Sequence, residues 1–137
     1  MVRLGLVVTR FDKTGEVIPA MEAAAREAAA DRGAEIVATV RVPGSYDTPL
    51  AADRLARRDE VDAVAVIGAI VTGETDHDQV IAQAAANGLT DVSLSRDTPV
   101  TLGITGPSMT AAQARERTGY GGTAVESAIE LVEDLDA

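Results

Sequence analysis

The residues of this chain that could do chemistry stand just beyond its apolar runs. Its one histidine, His77, closes the stretch Gly68-Ala69-Ile70-Val71-Thr72-Gly73-Glu74-Thr75-Asp76-His77. A lone imidazole titrating near neutrality can carry protons to and from a bound substrate. Gly73 permits a tight turn, Thr75 can cap the helix that follows, and the free amides at such a helix start would hold an anion such as phosphate. Phe11 lies just past the first apolar run, and Tyr46 and Asp47 just past the second; with Tyr120, these rings are the only aromatics. Rings that serve packing sit within strands or on helix faces, so rings placed after strands point to ligand contact. A purely structural turn with a solvated histidine leaves the same local pattern. What separates the two readings is whether the segments converge.

Convergence is set by the elements. Leu4 to Thr9 is a continuous apolar, β-branched run, as in a strand covered on both faces of a parallel sheet. An Ala-rich helix over Ile18 to Arg32 ends at Gly33, a fitting left-handed cap. Glu35 to Val42 forms the second strand, stopped by Pro43 and Gly44, and Pro49 opens a helix to about Arg58. Ala63 to Ile70 is the third strand, Thr75 to Asn87 a helix ended by Gly88, and Val100 to Thr105 the fourth strand. Helices over Ala111 to Arg117 and Thr123 to Leu135 close the chain. This alternation predicts an α/β three-layer sandwich, a four-stranded parallel sheet with helices on both faces in the flavodoxin-like manner. Ligands of such sheets lie beyond the carboxyl ends of the strands, where Phe11, Tyr46, Asp47 and His77 would meet.

Composition narrows the partners. A chain of 137 residues is expected to form a single domain over 1–137. With 22 acidic residues and a net charge of -10, it lacks the clustered cations that nucleic acid requires. Lys13 is the only lysine, and so acidic and lysine-poor a surface suggests a halophilic source, where salt screens self-repulsion. No cysteine is present, so disulfides and thiolate metal sites are excluded, and one histidine builds no histidine cluster; no metal is expected. The apolar runs fall short of the ~20 residues that span a bilayer, and the chain opens on a strand instead of a signal peptide, so no membrane partner and a cytoplasmic location are expected.

At four segments the chain resembles the lumazine synthase family, over nearly its whole length. Arg10-Phe11-Asp12 is similar to an Arg-Phe-Asn after the family's first strand, and Val42-Pro43-Gly44-Ser45-Tyr46-Asp47 to its Val-Pro-Gly-Ala-Phe-Glu loop. Gly68-Ala69-Ile70 with Gly73-Glu74-Thr75-Asp76-His77 resembles Gly-Ala-Val-Ile-Arg-Gly-Glu-Thr-Pro-His, the most specific match, and Gln113-Ala114-Arg115-Glu116-Arg117 resembles Gln-Ala-Ile-Glu-Arg. The resemblance implies condensation of 5-amino-6-(D-ribitylamino)uracil with 3,4-dihydroxy-2-butanone 4-phosphate, releasing phosphate and water, with no cofactor. It implies His77 as the proton carrier. Phe11, Ser45, Tyr46, Asp47, Ile70 and Leu102 would hold the pyrimidine and ribityl chain, and Gly73, Glu74, Thr75 and Arg117 the phosphate. It further implies a homo-oligomer, a pentamer or a dodecamer of pentamers, with active sites between subunits and Leu102 and Arg117 supplied by the neighbour.

The chain departs from the family pattern in places. Leu102 stands at a position that is commonly Phe, Thr72 at an Arg, and Asp78 at an aromatic; a lysine after the arginine is lost in Tyr120-Gly121-Gly122. Loss of positive charge implies weaker phosphate binding or compensation by solvent cations. Asp76 and Asp78 are expected to flank the imidazole. Two other readings compete: an archaeal-type riboflavin synthase, and a non-catalytic flavin-binding carrier in which Lys13-Thr14-Gly15 loosely imitates a phosphate loop.

Overall fold

A computed structural model describes residues 1–136. The chain alternates strand and helix as β1 (Arg3–Thr9), α1 (Val17–Asp31), β2 (Glu35–Val42), a 3₁₀ turn (Ser45–Asp47), α2 (Thr48–Ala56), β3 (Ala63–Val71), α3 (His77–Arg96), β4 (Val100–Met109), α4 (Ala111–Glu116) and α5 (Tyr120–Leu135). All strand pairs are parallel, in the order β2-β1-β3-β4. The three-layer α/β arrangement read from the sequence is the one observed.

The two faces of the sheet bury different partners, because alternate residues of a strand point to opposite sides. Leu4, Leu6 and Val8 of β1 with Ala65 and Ile67 of β3 pack under α1 and α5, against Met21, Ala25, Val125 and Ile129. Val7, Val64 and Val66 face the other way, onto Ala51, Ala52 and Leu55 of α2 and Leu89 of α3. The helices come close because their contact residues are small. A Cβ on Gly5 would meet Leu55 Cδ1 at 3.0 Å, and one on Gly121 would stand 2.1 Å from the Met21 carbonyl oxygen. Strands β1 and β3, buried from Leu4 to Thr9 and from Ala63 to Gly68, form the centre from which the site loops leave.

Several boundaries differ from the sequence reading. The third helix starts at His77 and runs on to Arg96, straight through Gly88. Gly88 is no cap: a Cβ there would lie 2.7 Å from Pro49 Cγ, so its missing side chain lets α3 cross α2. The left-handed cap falls instead on Asp97, at φ 48. Strand β4 extends past Gly106 and Pro107 to Met109, pairing Met109 with Val71 after a register shift. The last helix begins at Tyr120, three residues earlier than expected, because Gly121 and Gly122 lie against the backbone of α1 within the helix. Helix α2 ends at Ala56 instead of Arg58, a difference of terminal fraying. Gly33 does take the left-handed backbone expected of it, at φ 68.

Candidate functional site

Strand order reverses direction at the β1/β3 pair, with β2 reached on one side and β4 on the other, and such a reversal opens a crevice past the strand ends. A cleft of about 540 Å³ lies there, within the size range of small-molecule sites. It is lined by Phe11 and Lys13 after β1, Pro43 to Asp47 after β2, Ala69 to Val71 at the end of β3, then Gly73, Thr75, His77, Asp78 and Ile81.

Backbone pairing carries the strands into these loops. The Arg10 amide donates to the Val42 carbonyl at 2.8 Å and the Phe11 amide to the Pro43 carbonyl at 2.9 Å, so the first two loops leave the sheet side by side. Phe11 and Tyr46 are 63% and 64% exposed, open to a ligand instead of committed to the core. Beneath them Ser45 is buried against β3, where a Cβ on Gly68 would meet Ser45 Oγ at 2.9 Å and Thr9 Cγ2 at 3.0 Å. Gly68 is therefore a seat for Ser45. The 3₁₀ turn that carries Tyr46 is closed by the Gly44 amide, which donates to Asp47 Oδ2 at 3.0 Å, leaving the other carboxylate oxygen for a ligand.

The loop after β1 is pinned by one carboxylate. Asp12 accepts from the Thr14 hydroxyl at 2.6 Å and from the amides of Thr14, Gly15 and Ile18 at 2.9, 3.2 and 2.8 Å. Burial alone would raise the Asp12 carboxyl, but these bonds outweigh it and hold it below its ordinary value. On the far flank of α1, a hydrogen bond from Arg41, with a second from Arg26, holds the Glu22 carboxyl low as well, against the opposing effect of its burial.

The turn after β3 is fastened from the other side. Asp78, only 6% exposed, accepts the Ser108 amide at 3.0 Å and the Thr72 hydroxyl at 3.4 Å. Asp78 was expected to flank His77, but it ties the first turn of α3 to the end of β4. Gln79 adds a 2.7 Å bond to the Ser108 hydroxyl. His77 itself is exposed, with its amide on the Thr75 hydroxyl at 3.3 Å; Thr75 is not the cap expected from the sequence, because the N-cap of α3 is Asp76, which makes no side-chain cap bond. Gly73 does not take left-handed backbone. Its open side instead leaves room for the Lys13 ammonium, whose Nζ lies 3.7 Å from where a Cβ would stand.

Of the residues singled out from the sequence, Phe11, Ser45, Tyr46, Asp47, Ile70, Gly73, Thr75 and His77 share the cleft. Glu74 sits on the same turn, exposed and off the lining. Leu102 and Arg117 are elsewhere in the same chain. Leu102, 55% exposed, lines a separate groove of about 380 Å³ with Thr101, Tyr120, Thr123, Ala124 and Ser127, of a size with small ligand sites. Arg117 is the half-buried residue that ends α4. Sequence reasoning missed Ile81 as a lining residue and named Lys13 only in the flavin-carrier reading. For Lys13 the available signal was its being the only lysine, two residues past Phe11. Among the described residues no cluster of His, Cys, Asp and Glu fit to hold a metal ion is found, and no helix is long and apolar enough to cross a membrane.

A model of the 6,7-dimethyl-8-ribityllumazine synthase family matches residues 1–136. The chain is 66% identical to the 6,7-dimethyl-8-ribityllumazine synthase of Halobacterium salinarum over 98% of this chain and 100% of that one. It is 65% identical to that of Halorubrum lacusprofundi over 99% of this chain and 100% of the relative. The corresponding protein of Methanocaldococcus jannaschii is 44% identical over 100% of this chain and 96% of its own.

Proposed function

The chain belongs to the 6,7-dimethyl-8-ribityllumazine synthase family, and from that premise we propose how its residues divide the family's reaction. The activity is a transferase step of riboflavin biosynthesis. It joins 5-amino-6-(D-ribitylamino)uracil to 3,4-dihydroxy-2-butanone 4-phosphate, forms the second ring, and releases inorganic phosphate and water. Every step is an imine formation, a proton transfer or an elimination, so the site needs a stacked pyrimidine, a proton carrier and an anion hold.

The observation that carries the assignment is the sharing of one cleft by the loops of β1, β2 and β3. The exposed Phe11 ring stacks on the pyrimidine, with Tyr46 beside it. Ser45, seated on Gly68, and the free oxygen of Asp47 accept and donate hydrogen bonds along the ribityl chain, over Ile70. The turn from Gly73 to Thr75 receives the phosphate at the start of α3, where the amides of a twenty-residue helix begin. Glu74 holds that turn from its outer side. His77, at the first position of the same helix, takes the proton from the attacking amine and returns one to the leaving oxygens. Fixed placement supplies much of the acceleration.

The cleft of one chain holds only part of this set. Leu102 and Arg117 complete it from a neighbouring subunit in a pentamer, alone or as a dodecamer of pentamers, with Arg117 clamping the phosphate. The acidic, lysine-poor surface supports a halophilic source, in keeping with the Halobacterium and Halorubrum relatives, and a cytoplasmic location. Mixing the purified protein with both substrates tests the assignment. Fluorescent lumazine and inorganic phosphate should appear together; riboflavin formed from lumazine alone, or no product, would refute it.

A further inference from the structure

Electrostatics at the cleft leave a shortfall. A phosphate monoester is close to dianionic at neutral pH, and the chain it must approach carries a net charge of -10. Around the phosphate turn stand Glu74, Asp76 and Asp78. A helix start offers only about half an elementary charge in compensation. Among the charged side chains lining the cleft, Asp47 and Asp78 are negative, and the one with a fixed positive charge is Lys13.

Lys13 is placed for that task by its position beside the turn, its lack of an ion-pair partner among the described residues and the fixed loop that carries it. Its Nζ lies beside Gly73, 3.7 Å from where a Cβ would stand, so the ammonium sits in ordinary contact range of that turn. Lys13 takes part in none of the ion pairs among the described residues, whereas Arg26, Arg41, Arg96 and Arg115 are each held by a carboxylate. Its neighbour Asp12, with four hydrogen bonds, fixes the loop on which it stands. A compact ammonium on a flexible stem suits an anion approached from one side.

We infer that Lys13 is a substrate-binding residue whose ammonium, together with the Gly73 turn, takes the phosphate of the phosphorylated substrate. The inference rests on the functional reading above and extends it. Compensation for the acidic surface comes from within the chain, not only from solvent cations.

Because Lys13 is the only lysine, amine-reactive reagents mark just this side chain and the N-terminal amine, and peptide mass spectrometry separates the two. Inorganic phosphate should slow modification of Lys13 several-fold while leaving the N-terminal amine unaffected. In steady-state assays Lys13→Gln should raise KM for the phosphorylated substrate about tenfold, with KM for the pyrimidine within about twofold, as loss of one charge-assisted contact predicts. Lys13→Arg should recover most of that loss. The contrast is largest at the lowest salt at which the protein stays folded, since concentrated salt screens the pair. Phosphate that protects neither amine or both equally, or a Lys13→Gln enzyme whose two KM values are unchanged or rise together, would overturn the inference. Wild-type protein that forms no lumazine defeats the functional reading instead, and the protection by phosphate still decides whether Lys13 and Gly73 bind an anion.

Discussion

Two hollows of this molecule invite comparison, the cleft past β1 and β3 and the groove between β4 and α5. Both have apolar walls and both are open to solvent. In the cleft an imidazole, an ammonium, a carboxylate and a serine converge, each held by a loop that has its own hydrogen-bonded anchor. The groove has Leu102 and Tyr120 exposed over hydroxyls, of which Thr101 is spent on the Ala124 carbonyl at 2.7 Å and Thr123 on the Gly119 carbonyl at 3.4 Å. The cleft can do chemistry and the groove can cover something. That difference fits the proposal that Leu102 and Arg117 serve the cleft of a neighbouring chain, since neither lines the cleft of its own.

The comparison breaks most sharply at His77. Replacing it with Ala should lower kcat by roughly 10²-fold or more, the contribution of a positioned proton carrier, with little change in pyrimidine binding. An unchanged kcat would remove the chemistry from the cleft. Next in size is Arg117→Ala, at the α4 end beside the groove. It should raise KM for the phosphorylated substrate by about tenfold or more through loss of a charge-assisted bond, while kcat at saturation changes less. An effect confined to the pyrimidine would separate Arg117 from the phosphate.

The smallest effect expected is one of acid. The Asp12 carboxyl titrates below its ordinary value, so its contribution to stability is present above the unfolded value of 3.8 and is lost as pH falls through the lower folded value. Below about pH 3.8 the loop bearing Phe11 and Lys13 should therefore loosen, while the Thr101 to Ala124 contact, which has no titrating group, holds. Hydrogen exchange along residues 10–18 and 101–105 measures this contrast, and equal loosening of both segments would erase it.

How much of this was legible beforehand follows from the kind of information each feature needs. The β1 and β3 runs announce buried parallel strands because nothing but two-sided cover explains Leu4 to Val8 and Ala63 to Ile70. Their order then puts Phe11, Tyr46 and His77 at one edge without further data. Gly88 misled the reading because a glycine for close helix crossing and a glycine for capping are the same letter, and the true cap is an aspartate. Lys13 and Asp78 escaped for a related reason. Position along the chain tells which edge a residue occupies but not which partner its side chain takes, and Asp78 takes the Ser108 amide. Leu102 and Arg117 entered through the family resemblance alone, since no local pattern connects either to the loops of the cleft.

The shared site between chains is the central claim, and subunit mixing tests it directly. His77→Ala and Arg117→Ala proteins, each impaired alone at low phosphorylated substrate, are unfolded together and reassembled. In a ring closed by head-to-tail interfaces, random mixing should pair an intact cleft with an intact neighbouring Arg117 at about a quarter of the interfaces and restore activity accordingly. A reassembled mixture no more active than the average of its two parents would contradict the account.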